Sequence, residues 1–340
     1  MEAVTMERGT LRKVEVDEPI PKKGEVLVKS IACGICGSDL HAAKHTEDFV
    51  KTSRESGGAF KLTTFSPVIL GHEFCAEIVD YGPNTEKSLS PGTLVCAAPV
   101  LLRDPFLSIG FSEKTPGGFS QYMLLSESVM QPVPSGVRAE EAALTEPVAV
   151  ALHAINKARL EGNEEIVVIG CGPVGLAILT ILKSSFKGQI IASDFSLQRR
   201  SLAEKVGAHQ VVNPQEASPF SSKFLRKNKK TVVFECVGVP GIIDDIISEA
   251  PQNSKLVVVG VCLQKDSFRP LIAINKEISL QFVLGWSMEE FSESLNKIAS
   301  GEINASALIT KQITLDQVSE TFKELSSPNA DAKVLVKPWM

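Results

Sequence analysis

The chain runs to 340 residues, 44% hydrophobic and 22% charged, with 35 basic against 40 acidic residues and a formal net charge of −5. A chain of that length holds two domains with large cores, and without a basic stripe it is not expected to bind nucleic acid. Its seven cysteines, an odd number scattered along the chain, argue against a disulfide framework, and an N-terminus without a signal-type apolar core points to a cytoplasmic protein.

Residues 1–150 read as strands and turns. Glu25 to Ser30 alternates as a strand does. Pro67 to Leu70, Ala76 to Val79 and Thr93 to Ala97 follow, with Pro and Gly between them. An all-β, barrel-like domain is expected. Ala42 to Ser66 is polar and long for a connection. It is expected to hold a helix over Thr46–Ser56, stopped by Gly57-Gly58, and to serve as a substrate lid.

From residue 148 strands and helices alternate. Strands are expected near 166–169, 189–193, 209–212, 231–235, 255–260 and 278–284, and helices near 174–186, 197–206 and 240–249. That order predicts a doubly wound parallel sheet. Lys227 to Lys230, with Asn228, reads as a solvated charge cluster. Glu289 to Ser300 reads as a helix ending at Gly301, and Lys333 to Val336 as a last strand. Six strands complete a nucleotide-binding sheet, so 288–340 is expected to return to the first domain. The boundaries are then 1–147, 148–287 and 288–340.

The most informative stretch is Ile166 to Ile169, a β-branched strand, running into Gly170-x-Gly172-Pro173-Val174-Gly175 and then an apolar helix. Gly170 permits a tight turn, Gly172 admits a pyrophosphate close to the backbone, and Gly175 lets helix and strand pack. The helix N-terminus offers unpaired N–H groups to phosphate. Asp194 ends the second strand, where an acid binds a ribose hydroxyl. A Gly-Pro turn splits the uncharged run from Ile166 to Leu182, so no membrane span is expected.

Chemistry-bearing residues also concentrate in Cys33-Gly-Ile-Cys36-Gly-Ser38-Asp39-Leu-His41, in Gly71-His72-Glu73 and in Thr145-Glu146-Pro147. Cys33 and Cys36 have no second Cys-x-x-Cys to complete a structural zinc. A catalytic zinc needs three protein ligands and an open position, and Cys36, His72 and Glu146 can supply them. Cys75, Cys171 and Cys236 sit in apolar contexts and read as buried small hydrophobes. His45, His153 and His209 read as loop, helix-face and surface residues.

These segments, with Gly117-Gly-Phe-Ser-Gln-Tyr122, Glu146-Pro-Val-Ala149 and Glu235-Cys-Val-Gly238, occur in family order across nearly the whole chain. The sequence resembles the zinc-dependent medium-chain dehydrogenase/reductase family, which includes alcohol, sorbitol and threonine dehydrogenases. The resemblance implies an α/β fold, a GroES-like β-barrel catalytic domain plus a doubly wound Rossmann domain. It implies zinc on Cys36 and His72, with Glu146 as third ligand in the sorbitol and threonine branch, or Glu73 as ligand or near-ligand. Asp39 is implied to orient the ligand histidine, and Ser38 and His41 to relay the substrate proton outward. Gly170, Gly172, Pro173, Val174, Gly175, Asp194, Arg199, Val237, Val261 and Cys262 are implied to hold the cofactor. Arg199 is placed against the adenine and Arg200 toward solvent. NAD is expected in preference to NADP, because Asp194 would repel a 2′-phosphate and Phe195 follows it.

Many members carry four closely spaced cysteines that bind a structural zinc. Here Cys96 stands alone between Cys75 and Cys171, and 97–116 contains Leu101, Leu102, Phe106 and Phe111 instead. One zinc per chain is expected, with that lobe held by apolar packing. The implied activity is that of an alcohol dehydrogenase or carbonyl reductase, hydride transfer between a secondary alcohol or polyol and the nicotinamide, in a homodimer or homotetramer with a small-molecule alcohol or ketone substrate. Three alternatives remain. One is a zinc-free enone or quinone reductase, another a non-enzymatic nucleotide-binding protein, and the third an enzyme restricted to polyols or amino alcohols.

Overall fold

The computed structural model describes residues 1–57, 62, 65–221, 225, 229–325, 327 and 331–340. Parts of the expected lid, 58–61 and 63–64, lie outside the described residues, as do Lys227 and Asn228 of the charge cluster. Two compact units emerge. The first takes Met1–Glu146, Ile309–Ser327 and Lys333–Met340, and the second takes Pro147–Leu308 and closes at Ala332.

In the first unit, the long strand Glu25–Gly34 lies at the centre of a seven-stranded sheet. It pairs antiparallel with Glu73–Tyr81 on one side and with the C-terminal strand Val334–Val336 on the other. Tyr122–Ser126 also pairs with it. Alternating burial along these strands fills a core that includes Val26, Val28, Ile78, Met123 and Leu125. A second sheet joins Glu2–Glu7 to Thr10–Glu15 and Val68–Ile69. Three strand ends therefore meet near one place: Gly34 faces Glu73 on one neighbour and Leu335 on the other. The helix expected after His41 is present as Thr46–Glu55.

The lobe without cysteines is a hairpin of Val100–Leu101 and Leu107–Ser108. Leu101 and Phe111 are buried as expected, but Leu102 and Phe106 are 58% and 48% exposed. Apolar packing alone does not fasten it. Arg103 at the hairpin tip donates to both carboxylate oxygens of Glu25, at 2.6 and 2.9 Å, and Glu25 also accepts the Lys22 N–H at 2.8 Å. Burial pushes the Glu25 carboxyl up, but Arg103 and Lys22 outweigh it and hold the group below the usual carboxylate range.

The second unit is a six-stranded parallel sheet. Its order is Gln210–Val212, Ile190–Ser193, Glu165–Ile169, Thr231–Glu235, Lys255–Val258 and Ser279–Phe282. Chain order reverses between Glu165–Ile169 and Thr231–Glu235, the switch point at which such sheets bind ligands. Val167, Ile191, Val233 and Leu256 pack its core against Ile246 and Ile247. Ser279–Phe282 is a free edge, and Phe282 and Leu284 beside it are 61% and 88% exposed.

The return to the first unit begins at Ile309 and not at 288. The reason lies in the helix Met288–Ala299. Its Phe291, Leu295 and Ile298 are buried. Its Glu290 accepts from Asn156 and meets His153, both at 2.8 Å. The helix thus belongs to the second unit although the six-stranded sheet is complete without it. Among the described residues no helix is long and apolar enough to cross a membrane.

Candidate active site

Cys36 closes the central strand's exit and stands as the N-cap of the helix Gly37–Lys44. Asp39, three residues on, accepts the Cys36 N–H at 2.9 Å, which satisfies one of the helix's orphan donors. Its other carboxylate oxygen lies 3.3 Å from His72 Nδ1 and 3.4 Å from the Gly71 N–H. The His72 contact is an ion-pair distance and not a well-directed hydrogen bond, since Nδ1 is otherwise without a partner. Asp39 is fully buried and His72 is 7% exposed. Nδ1 thus faces Asp39, while Nε2 faces the Ser38 hydroxyl at 3.3 Å.

The ligating atoms of Cys36, His72 and Glu73 all lie within 4.8 Å of one another, the one such group among the described residues. Their chemistry fits a zinc ion: thiolate, imidazole and carboxylate. The electrostatics fit as well. Burial disfavours a charged His72, but Asp39 and Cys36 outweigh it and hold the imidazole well above its ordinary value. The surroundings of His72 therefore favour positive charge.

Glu146, in the first turn of Thr145–Ala158, is half-buried and falls outside that group of three. It is close enough to raise the pKa of Lys333. Lys333 was not foreseen from the sequence. It is 2% exposed, and its ammonium donates to Ile35 O at 3.1 Å and to the Glu73 carboxylate. Burial opposes its charge, but Glu73, Cys36 and Glu146 hold its pKa above the ordinary value. Strand pairing delivers it there, because Leu335 pairs with Gly34 and Gly34 with Glu73. A Cβ on Gly34 would lie 2.1 Å from the Glu73 carboxylate, so a side chain there would displace that acid from its place beside Lys333. The signal in the sequence was a lone lysine entering the apolar run Val334-Leu-Val336.

Phe111, also unforeseen as a site residue, places its ring 4.8 Å from His72 and 5.6 Å from Phe49. It gives the imidazole an apolar neighbour. His41 lies one turn beyond Ser38, its ring 6.4 Å from that of His45. Burial, then His45 and Lys44, lower its pKa. Cys33, the other half of Cys-x-x-Cys, is fully buried and its thiol reaches Gly34 O, so it takes no part in the group of three.

In the second unit, Gly170 adopts φ +92°, and Gly172 caps the helix Pro173–Ser185 with open space where a side chain would be. A Cβ on Gly175 would meet Gly170 O at 2.0 Å. Val174 and Gly175 lie in the helix's first turn, where N–H groups lack helical partners. Asp194 accepts the Cys171 N–H and the Ser196 N–H, both at 2.8 Å, so its carboxylate is held in one orientation. Arg199 donates to Asp331 O at 3.4 Å, and its Nε is buried without a partner. Arg200 does not face solvent as expected. It is half-buried and donates to Asp194 O and Phe195 O at 2.8 Å, because two carbonyls at the turn lie within its reach. Val237 and Val261 are 39% and 45% exposed at the ends of their strands, and Cys262 follows, half-exposed. Cys75 and Cys171 are fully buried as expected, whereas Cys236 keeps partial exposure at the crevice. The open turn, the oriented acid and the orphan Arg199 Nε fit a dinucleotide.

Residues 22–135 match the family model described as the alcohol dehydrogenase GroES-like domain, and 173–300 match that of the zinc-binding dehydrogenases. The (R,R)-butanediol dehydrogenase of Bacillus subtilis (strain 168) is 29% identical over 342 residues, with 96% of each chain covered. A sorbitol dehydrogenase of Bos taurus is 29% identical over 348 residues, covering 97% of this chain and 93% of the relative. The solved structure of 2R,3R-butanediol dehydrogenase from Bacillus subtilis superposes with a TM-score of 0.83 at 28% identity, covering 99% of both chains. A GroES-like unit and a doubly wound sheet with this site define a zinc-type dehydrogenase fold. The chain belongs to the zinc-dependent medium-chain dehydrogenase/reductase family.

Proposed function

We propose that this chain is a zinc-dependent dehydrogenase that moves a hydride between a secondary alcohol or polyol and NAD. The observation that carries the reading is the convergence of Cys36, His72 and a carboxylate beside Ser38. The relatives act, by their names, on butanediol and sorbitol, both polyols. Cys36 and His72 would hold the zinc. Glu146 is proposed as third ligand because Lys333 already neutralises Glu73, which remains the alternative. Zinc held there supplies Lewis acidity that lowers the pKa of an alcohol oxygen, and the nicotinamide supplies the hydride acceptor.

The chain's own residues do the rest. Asp39 fixes the imidazole so that Nε2 points inward. Ser38 accepts the alcohol proton, and His41, its pKa lowered, carries it outward as a neutral base. Phe111 keeps water from one side of His72. A screen of the zinc-loaded protein for NADH production over secondary alcohols, polyols and 3-hydroxy amino acids tests the function. Turnover on one class is expected, and bound zinc with no turnover across the panel would favour a non-enzymatic nucleotide-binding protein.

The same assay measures cofactor choice. Asp194 accepts from ribose hydroxyls and repels a 2′-phosphate, so kcat/KM with NAD should exceed that with NADP by at least about tenfold. A preference for NADP would transfer control of the pocket to Arg199 and Arg200.

His41→Gln tests the relay. The wild-type histidine titrates below the ordinary 6.5. Below that folded-state value it is protonated and gives no help, so variant and wild type converge. Above it, up to neutrality, alcohol oxidation by the variant should be slower by about 10²-fold with zinc content unchanged. An identical pH profile would make His41 a bystander.

A further inference from the structure

The second unit carries a buried acid that the proposed chemistry does not use. Glu235 ends the strand Thr231–Glu235 at the switch point and is 1% exposed. Its Oε1 accepts the N–H of Val237 at 2.6 Å and of Gly238 at 2.8 Å. Its main-chain carbonyl accepts the N–H groups of Val259 and Gly260, at 2.8 and 2.9 Å, from the end of the neighbouring strand. The fit around it is close. A Cβ on Gly260 would meet Glu235 Oε2 at 2.7 Å, and one on Gly238 would meet Val261 N at 2.5 Å. The main-chain bonds belong to the sheet ladder and would be made by any residue here, but the side chain fastens the turn after its own strand through Oε1 and sets Oε2 against Gly260 in the turn after the next. The first turn also reaches the glycine loop, since Cys236 donates to Ile169 O at 2.8 Å.

Doubly wound sheets divide a dinucleotide between two halves. Asp194 lies in the half that takes the adenosine. Val237, Val261 and Cys262, on the turns Glu235 joins, lie in the half that takes the nicotinamide ribose. We infer that Glu235 is a positioning residue for the nicotinamide half of the cofactor, its carboxylate fastening the 236–238 turn and filling the space between that turn and Gly260. The acid is suited to this. Burial pushes its carboxyl above the ordinary value, although the N–H groups of Gly238, Val237 and Gly260 oppose that shift, and its Oε1 is taken up by two backbone donors. An amide in its place can keep its oxygen on the Val237 and Gly238 N–H groups but then turns an NH2 group toward Gly260, setting donor against donor between the two turns.

This inference rests on the dinucleotide reading of the unit, and the experiment separates the two. Calorimetry on the full chain measures binding of NADH and of ADP-ribose, which lacks the nicotinamide. Wild-type protein that binds neither would overturn the reading itself. With the reading intact, Glu235→Gln should weaken NADH by about tenfold or more and leave ADP-ribose within about twofold. Glu235→Asp, which keeps the charge but withdraws it by one methylene, should show the same split and decides the matter if the glutamine variant does not fold. Equal losses for both ligands, or none for either, would make Glu235 merely structural and overturn the inference.

Discussion

Replacing Cys36 with alanine is expected to cost the protein its metal and at least about 10³-fold in kcat/KM for alcohol oxidation, the several kcal/mol that Lewis-acid activation supplies. The thiol is a member of the group of three, and two remaining donors do not hold zinc tightly. Cys33→Ala is the control. That thiol is buried against Gly34 O and should be dispensable for zinc. Metal analysis after loading with zinc and desalting should give about one zinc per wild-type chain, the same for Cys33→Ala and close to none for Cys36→Ala. A wild-type stoichiometry near two, or full zinc retention by Cys36→Ala, would show that the ion is held elsewhere.

The second large effect concerns Lys333. Lys333→Met removes the cation that neutralises Glu73 in a place where neither side chain is more than 2% exposed. Breaking a buried pair from one side leaves an uncompensated charge, and chemical denaturation of metal-free protein should show a loss of about 3–5 kcal/mol. Removing both charges with Lys333→Met/Glu73→Gln should recover much of that loss, because the cost lies in the orphaned carboxylate. Zinc should stabilise Lys333→Met more than it stabilises wild type, since Glu73 is then released toward the ion. If the single and double variants unfold alike and respond alike to zinc, Lys333 does not govern Glu73.

Local patterns carried much of this molecule. The strand–glycine–helix run at Ile166–Gly175 and the alternation after residue 148 predicted the parallel sheet closely, because a buried parallel strand is a short apolar run between turns. Cys36, Ser38, Asp39 and His72 were legible because one helical turn and one tight turn set their spacing. What stayed hidden depended on partners far away in the chain. Lys333 meets Glu73 across 260 residues through two strand pairings. Phe111 meets His72 only through the fold. Arg200 looked solvent-bound because no sequence pattern shows which carbonyls a turn will expose. The return falls at Ile309 and not at 288 because the apolar face of Met288–Ala299 packs within the second unit, and an amphipathic pattern does not show which core it covers.

The hairpin at 100–108 has a consequence for how the protein would age under stress. Residues 97–116 contain no cysteine or histidine, so oxidants that attack thiols and chelators that compete for zinc find no target in the hairpin. Its fastening is a carboxylate on a guanidinium, and such a clasp answers to protons. The Glu25 pKa is lower folded than unfolded, so the clasp's stabilisation is fully present above the ordinary carboxylate range and fades as pH falls through the lower folded-state value. Where a cysteine-built lobe would loosen with redox balance or metal supply, this one answers to neither and loosens in acid.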